Sequence, residues 1–546
     1  ATTMRLNHIV HEAPIGYITY AIGGLASMGG FLFGWDTGQI ADLLIMDDYR
    51  NRFAQHEVPG EPKEWNTWIR GLLVSLLSAG AVFGALIGAP ISDKLGRRLS
   101  VTLGCILYMV GLIIQISSDH GWPQMAVGRI FDGIAIGWLS SAIPLYQSEI
   151  VPRQVRGAIV GTYQLFITLG ILMSYCACYG THSYGDSGQW RVPMGIGFAW
   201  GLLLGSCILL CPESPRWLGK RGQFDKTKHV LALMRGVDEN DAYLNNEFEE
   251  IKQEVIKEAE LEESGTWLDC FSFKQKALYR TFLGMYLQMG QQLTGANYFF
   301  YYGATIFRKV DLMDTETDNS YISQIILGAV NFVTTFPGLY ALDKLGRRTC
   351  LMTGAAWMTI WLIVFATTGV ADSNGDEIKH KSTSILMICS ACFFILGFAS
   401  TWGPGVWSSI AESAVPTLRA RQMALATMSN WIWNFNLAFF TSPITDDIHY
   451  AYGYVFVGCC AASFLVVYFF VYETANLDLE AIQDMFGDRS VKPWNSHKWV
   501  PAGCTSRNDV KHDIEQTKPE NDELLSADQN ELHTGDEVLI ETGEPA

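Results

Sequence analysis

The 546-residue chain has few charged residues for its length. Asp, Glu, Lys and Arg together make up 17% of it, whereas hydrophobic residues make up 49%. This balance is unusual for a soluble protein and typical of one built from long apolar segments. Clustered basic residues with interleaved aromatic residues are also missing, so the sequence does not indicate nucleic-acid binding.

Paired cysteines and cofactor motifs are absent as well. The 12 cysteines are scattered, mostly within apolar runs, which argues against a disulfide scaffold. One CxxC, Cys389 to Cys392, lies in an apolar run without a second pair or a nearby His, so helix packing explains it better than metal or redox chemistry. The sequence has no nucleotide-binding motif. We therefore predict no cofactor, no bound metal and no enzymatic activity.

Twelve apolar runs are long enough to cross a bilayer as helices, which takes about 20 residues each. They are called spans 1 to 12 here, and their predicted bounds are 17–40, 69–91, 99–118, 124–147, 157–180, 191–211, 281–307, 322–342, 350–371, 384–410, 421–441 and 451–472. The stretch between spans 6 and 7 is rich in Glu and Lys and has helical patterning. It contains no apolar run.

Basic residues in the short loops predict the orientation of the chain. They cluster after even-numbered spans, in "DKLGRR" (93–98), "RQVR" (153–156), a second "DKLGRR" (343–348) and "RAR" (419–421). The positive-inside rule therefore places both termini and the central stretch in the cytosol. From Pro501 to Ala546 there are 12 acidic and 3 basic residues and no aromatic residue, which predicts a disordered acidic tail.

The two halves of the chain repeat each other. "DKLGRR" occurs twice, and both Glu149 to Arg156 and Glu412 to Arg419 are seven residues apart. Two six-span halves around a central site are a transporter architecture. We predict an all-α membrane protein whose domains are a cytosolic N-terminus (1–16), a six-helix bundle (17–211), a cytosolic helical linker (212–276), a second six-helix bundle (277–472) and a cytosolic tail (473–546).

Span 7 carries an unusual density of amide side chains. Gln288, Gln291 and Gln292 have the i, i+3, i+4 spacing of one helix face, and Asn297 follows Gly295. A helix break at Gly295 would direct Asn297 into the same cavity as the glutamines. Broken helices near the membrane midplane commonly build substrate sites.

Other spans add polar and aromatic residues of the same character. They are Gln164 in span 5, Asn331 in span 8, Trp407 after "GPG" in span 10, and Asn430, Trp431 and Asn434 in span 11. Neutral amides beside indole rings suit a neutral polyhydroxylated ligand with apolar C–H faces, such as a sugar. The alternative is that these amides form hydrogen bonds between helices.

At this point the chain resembles a known family, the sugar porters of the major facilitator superfamily, and most closely the fungal hexose transporters. The resemblance covers about residues 16–485. Its motifs are "GWDTG" (34–38), both copies of "DKLGRR", "GR" (128–129), "SEIVPRQVRG" (148–157), "PESPRWL" (212–218), "QQLTGANYFFYY" (291–302) and "SNW" (429–431). The resemblance implies the major facilitator fold.

The resemblance also implies roles for individual residues. The sugar-contacting residues would be Gln164, Gln291, Gln292, Asn297, Asn331, Trp407, Asn430 and Trp431. An inward gate would consist of Asp93, Arg97, Arg98, Glu149, Arg156, Glu213, Arg216, Asp343, Arg347, Arg348, Glu412 and Arg419. In the family these charges pair across the halves when the transporter is open outward. The alternative is that they are topology signals and solvated loop residues, which fits the arginines but not the acids.

Asp36 and Arg129 are charges at membrane depth in the first half, and such charges are costly. The proton-coupled members of the family pair an Asp and an Arg at these positions. Desolvation would let Asp36 hold a proton whenever Arg129 moves away. The alternative is a structural ion pair that holds spans 1 and 4 together.

We predict a plasma-membrane hexose transporter, with glucose as the first candidate, that works by alternating access as a monomer in the lipid bilayer. Its partners would be the sugar and, if Asp36 and Arg129 couple, protons. Proton symport and facilitated diffusion both remain open. The rival function is a glucose sensor with the transporter fold and little flux. Known sensors often have long tails, and the 74 residues after span 12 favour transport.

Overall fold

A computed structural model describes residues 16–57, 59–60, 62–151, 153–239, 241–262, 266–307, 316–374, 377–378, 380–475, 477, 479–488, 490–501 and 507. These residues are almost entirely helical. One two-stranded antiparallel hairpin joins Ser373–Asn374 to Glu377–Ile378 in the loop between spans 9 and 10. The predicted all-α class is confirmed.

Within the described residues, twelve helical units that correspond to the predicted spans follow one another. Spans 1 to 6 are the helices Tyr17–Leu43, Thr67–Leu95, Arg97–Ile116, Trp122–Ile150, Arg153–Thr181 and Gly188–Leu210. Span 7 comprises two helices, Ala277–Leu293 and Ala296–Phe307, and span 8 is Glu316–Leu345. Span 9 is Arg347–Asp372, and span 10 comprises Lys381–Gly397, a π-helical stretch Phe398–Trp402, and Gly403–Ser413. Spans 11 and 12 are Arg419–Ile448 and Tyr452–Phe470.

Length and composition agree with this count. In the described part of the chain, 10 segments are long and apolar enough to cross a membrane. One of them, Arg421–Phe470, contains both span 11 and span 12. Span 7 is missing from the ten because its break leaves two helices of 17 and 12 residues. The predicted twelve spans are therefore confirmed.

Glycines bring the helices into close contact. A Cβ atom on Gly80 would lie 2.4 Å from the carbonyl oxygen of Ile130, and one on Gly84 would lie 2.0 Å from that of Ile134. Spans 2 and 4 can therefore approach only because both positions lack a side chain. Backbone contact of this kind is how small residues stabilise helix pairs in membranes.

Shorter helices cover one side of the bundle. Pro215–Lys220, Phe224–Arg235 and Ala242–Glu262 lie between spans 6 and 7. The Thr19 hydroxyl, at the start of span 1, donates a hydrogen bond of 2.7 Å to the carbonyl of Met234. The side that carries these helices is called the linker side, and the opposite side is called the far side.

Candidate functional site

Span 7 breaks where the sequence predicts. Its first helix ends at Leu293 and its second begins at Ala296, with Gly295 at a φ of +92° between them. This left-handed conformation favours glycine. A Cβ atom at Gly295 would also lie 2.6 Å from the Phe456 ring. Both constraints explain why glycine occupies the break.

An amide network joins spans 7, 10 and 11 next to this break. The Nδ2 of Asn430 donates to the Oε1 of Gln288 at 2.6 Å and to the Oε1 of Gln291 at 2.9 Å. The Nε2 of Gln291 donates to the carbonyls of Trp402 and Gly403 at 2.9 and 2.8 Å. Those carbonyls lie at the end of the π-helical stretch, where the regular helical ladder is interrupted. Hydrogen bonding between helices therefore accounts for part of the role of Gln291 and Asn430.

A second amide pair bridges the break itself. The Nδ2 of Asn297 donates to the Oε1 of Gln292 at 2.6 Å. This bond uses one of the two donors of Asn297 and leaves its carbonyl oxygen available. The buried Nε2 of Gln288 has no partner among the described residues. The two sides of the break thus carry amide groups with remaining hydrogen-bonding capacity.

Three further predicted residues make no side-chain hydrogen bond within the described chain. They are Gln164, Asn331 and Trp407; Asn331 is buried and the other two are half-buried. Gln164 and Asn331 lie on spans 5 and 8 between two contacts of these helices, Gly161 against Leu339 and Gly328 against Leu172. Spans 5 and 8 belong to different halves, so both residues lie along the interface between the halves.

Span 11 contacts the first half in the middle of the protein. The Trp431 ring lies 5.4 Å from that of Phe33 in span 1, measured between centroids. The Oδ1 of Asn434 accepts hydrogen bonds from the hydroxyls of Ser78, at 2.8 Å, and Tyr301, at 3.1 Å. Sequence analysis did not single out Ser78 or Tyr301, because such residues are common in apolar helices and give no pattern.

Asp36 and Arg129 form the predicted ion pair. Both are almost completely buried, and the Nη1 of Arg129 lies 3.2 and 3.4 Å from the two carboxyl oxygens of Asp36. The Nε2 of Gln39 donates to Asp36 at 2.8 Å, and the Nε of Arg129 donates to the carbonyl of Leu73 at 3.2 Å. A buried ion pair contributes little net stability, since desolvation of both charges offsets their attraction.

In the first half, the predicted gate charges cluster on the linker side. Arg97 contacts Glu149 and Asp93, each with an N–O distance of 2.8 Å. The Oε1 of Glu213 accepts a bond of 2.9 Å from the backbone N–H of Arg97. The guanidinium of Arg98 donates to the carbonyl of Cys211 at 3.0 Å. Spans 3, 4 and 6 are thereby joined at their ends.

The second half repeats this arrangement. Arg347 pairs with Glu412 at 2.9 Å, and Glu473 accepts bonds from the backbone N–H groups of Arg347 and Arg348 at 3.0 and 3.2 Å. After span 12, Glu473 therefore accepts hydrogen bonds from backbone N–H groups at the start of span 9, as Glu213 after span 6 does at the start of span 3. The gate implied by the resemblance did not include Glu473. The sequence could have indicated it, because an acidic residue follows the last span of each half, Glu213 after span 6 and Glu473 after span 12.

The remaining gate residues are less fully described. Arg419 begins span 11 and interacts electrostatically with Glu412, while Arg216 lies on the short helix Pro215–Lys220. The side chains of Arg156 and Asp343 lie outside the described residues. The ion pairs given above are within one half each, so pairing across the halves stays a prediction.

The far side carries polar contacts between the halves. Arg70 in span 2 pairs with Asp446 in span 11 at 2.7 Å, and its Nε donates to the Ser442 hydroxyl at 2.7 Å. The Thr67 hydroxyl donates to the other carboxyl oxygen of Asp446 at 2.6 Å. A cavity of about 420 Å³ lies beside this cluster and is lined by residues of both halves, Tyr302 and Ile306 among them.

Two six-span halves that enclose buried amides define a membrane transport protein. Over residues 24–486 the chain matches the family model described as "Sugar (and other) transporter", and it belongs to this family. It is 42% identical to Hexose transporter 2 of Kluyveromyces lactis, a match that covers 91% of this chain and 87% of that protein. It is 38% identical to the low-affinity glucose transporter HXT3 of Saccharomyces cerevisiae, covering 90% and 86%.

The fold also has solved counterparts. The xylose transporter XylE of Escherichia coli, in a partially occluded inward open conformation, superposes with a TM-score of 0.70 at 22% sequence identity. The superposition covers 84% of this chain and 99% of XylE. At this identity the likeness establishes the major facilitator fold. The protein is a multi-pass membrane protein of the sugar transporter family.

Proposed function

We propose that the protein carries hexoses across the plasma membrane by alternating access, with glucose as its principal substrate. In this proposal the protein acts as a monomer, and the linker side, with both termini, faces the cytosol. The observation that carries the proposal is the set of neutral amides around the break in span 7, in a chain about 40% identical to hexose and glucose transporters.

The chemistry of these residues supports a sugar rather than a charged ligand. Gln164, Gln292, Asn297 and Asn331 offer amide donors and acceptors that the described protein groups leave unused. Sugar hydroxyls both donate and accept, so they can bind such amides without a fixed counter-charge. Trp407 and Trp431 supply indole faces for the apolar C–H groups of the ring.

The contacts between the halves support alternating access. Arg70, Asp446 and Asn434 join the halves on the far side and in the middle of the protein. The linker-side ion pairs given for the described residues instead lie within one half each, as Arg97–Glu149 and Arg347–Glu412 do. Halves that are rigid in themselves can rock as units around a central site, which exposes the site to one side at a time.

Uptake of radiolabelled glucose in a cell without its own hexose carriers tests this function. We expect saturable uptake that unlabelled glucose competes away, with galactose, fructose and xylose as comparisons. Absence of uptake by protein that reaches the cell surface would contradict transport. Loss of glucose-dependent gene expression in a deletion strain, without any flux, would identify a sensor instead.

We further propose that Asp36 and Arg129 couple sugar movement to proton movement. A buried ion pair adds little to stability, so its presence at this depth favours a role in the transport cycle. We expect uptake to rise at acidic external pH and a protonophore to abolish accumulation. Asp36→Asn should lose accumulation while sugar exchange continues. Wild-type uptake that ignores the proton gradient would show facilitated diffusion.

A further inference from the structure

A third charged residue lies beside Asp36 and Arg129. Asp132 follows Arg129 by three positions in span 4, which puts the two side chains on the same helix face. Its side chain is completely buried. Arg129 contacts Asp36 at 3.2 Å, and Asp132 lies one helical turn after Arg129, so the three residues form one cluster.

Asp132 is seated in a gap that glycine creates. A Cβ atom on Gly111 of span 3 would lie 2.1 Å from the Oδ1 of Asp132, so only glycine leaves room for the carboxyl group. The Oδ2 accepts a hydrogen bond from the Nε2 of Gln115. The buried Oδ1 has no partner in the described part of the structure, and neither has the Oε1 of Gln115.

The cluster contains two carboxyl groups and one guanidinium. Arg129 donates to Asp36 and to the carbonyl of Leu73 in span 2, and no described hydrogen bond joins it to Asp132. The other titratable groups that face the cluster are the phenols of Tyr108, Tyr49 and Tyr301. Among the described residues, no cation therefore forms an ion pair with Asp132.

A carboxylate buried away from water without a paired cation is strongly disfavoured, and a carboxyl group in such a site takes up a proton instead. When two interacting carboxyl groups share one cation, a proton belongs to the pair rather than to either residue. Arg129 lies on Asp36 in this conformation, which leaves Asp132 as the carboxyl group without a described ion pair.

We propose that Asp132 is the carboxyl group that carries the coupled proton. The inference rests on the proton coupling proposed above and assigns its carrier. With Arg129 on Asp36, Asp132 holds the proton on a carboxyl oxygen. When the cluster opens to water, the O–H bond of Asp132 breaks and the proton passes to water, and Arg129 together with the entering water stabilises the new carboxylate. The Asp36–Asp132 pair thus loses one proton when the cluster opens and regains one when it closes.

Sugar accumulation in proteoliposomes tests this assignment. The full-length protein is reconstituted under an inward gradient of about one pH unit, which supports roughly tenfold accumulation at one proton per sugar. Asp132→Asn keeps the size of the side chain and the contact with Gln115 but cannot titrate. We expect its accumulation ratio to fall to about one, and its sugar-evoked proton uptake to disappear, while exchange remains measurable.

Asp42 provides a matched control in the same half. It is as deeply buried, and both of its carboxyl oxygens lack described partners. Its electrostatic neighbours are Tyr175, Cys176 and Cys178 of span 5 rather than Arg129. Asp42→Asn should therefore keep accumulation within about twofold of wild type. Asp132→Ser, which is smaller and also cannot titrate, is measured in parallel in case Asp132→Asn does not fold.

The outcomes separate the two proposals. Exchange without accumulation by wild-type protein overturns proton coupling and the role of Asp132 together. Accumulation by wild type and by either foldable Asp132 variant overturns the role of Asp132 alone. Equal loss in Asp42→Asn also overturns it, because any buried acid would then matter. Loss in the Asp132 variants, with accumulation kept in Asp42→Asn, supports it.

Discussion

The amide side chains beside the span 7 break are hydrogen-bonded to each other and to backbone carbonyls in the absence of any ligand. Both donors of Gln291 bind carbonyls of span 10, and Asn430 bridges Gln288 and Gln291. Such a network is rigid because each member fixes the orientation of the next. The unused groups of Gln292 and Asn297 are therefore held in position by neighbours that are themselves fixed.

Replacing Asn430 tests this arrangement. Asn430→Ala leaves the carbonyl oxygens of Gln288 and Gln291 without a donor, which costs about 1–3 kcal/mol in a buried site. We expect sugar affinity to fall by about tenfold, corresponding to 1.4 kcal/mol, and we would measure it as the KM for glucose uptake. Asn436→Ala is the control, since this exposed amide donates to Ile432 in its own helix. Similar KM values for both variants would contradict the role of the network.

Polarity within apolar runs was sufficient to predict most of these residues, but not their partners. A Gln or Asn in a span stands out against its neighbours, so Gln291 and Asn430 could be predicted from sequence. The acceptors of Gln291 are backbone carbonyls of Trp402 and Gly403, and no side-chain pattern marks a free carbonyl. The spacing of Asp132 from Arg129 could have placed it beside this pair, but its contacts with Gly111 and Gln115 depend on the packing of spans 3 and 4, which a single sequence does not show.

At the scale of helices, the second half has two interruptions, which the hydrogen bonds of Gln291 connect. Gly295 breaks span 7, and the π-helical stretch Phe398–Trp402 precedes Gly403 in span 10. The first break was predictable because glycine permits its positive φ. For span 10 the sequence "GPG" indicates a loosened helix, but it does not predict a π-helical turn. That turn depends on tertiary partners such as Leu351, whose carbonyl accepts a bond from the Trp402 indole.

Helix packing also explains the glycine that opens "GWDTG". A Cβ atom on Gly34 would lie 2.0 Å from the carbonyl oxygen of Ile167, so spans 1 and 5 touch through their backbones. Gly34→Ala must separate the helices, and overpacking of this kind costs about 1–3 kcal/mol. We expect a lower midpoint of thermal unfolding for the purified protein in detergent and a smaller amount at the cell surface.

Gly24 lies in the same helix and provides the control. Nothing lies within 4 Å of a Cβ atom added there. Gly24→Ala should therefore leave the unfolding midpoint unchanged or raise it slightly, because alanine has the higher helix propensity. An equal decrease in both variants would show that span 1 is sensitive to any added methyl group, rather than to its contact with span 5.

At the scale of the whole molecule, each half has the same linker-side cluster. Glu213 accepts a hydrogen bond from the backbone N–H of Arg97, and Glu473 accepts the equivalent bond from Arg347. The glycines that precede these arginines, Gly96 and Gly346, have φ values of 98° and 90°. The repeated hexapeptide predicted this symmetry. The structure adds that each cluster ties together its own half, which is what a rigid rocking unit requires.

The far-side contacts join the halves, so weakening them should favour opening on that side. Asp446→Asn removes the charge that Arg70 contacts at 2.7 Å. A partly exposed ion pair contributes about 0.2–1 kcal/mol, so the population open on the far side should increase by roughly 1.5- to 5-fold. The readout is the rate at which a thiol reagent labels Ile306→Cys, whose position lines the far-side cavity, in purified protein in detergent.

Asp119 provides the control, because its replacement removes a paired carboxylate whose partners all lie within one half. Its carboxyl group pairs with Arg52 at 3.1 Å and Arg191 at 2.8 Å, all in the first half. Asp119→Asn, combined with Ile306→Cys, should therefore label at the rate of the parent protein. The labelling difference between the variants should shrink at high salt, since screening already weakens an exposed pair. Unchanged labelling in Asp446→Asn, or an equal increase in Asp119→Asn, would show that the Arg70–Asp446 pair does not hold the halves together.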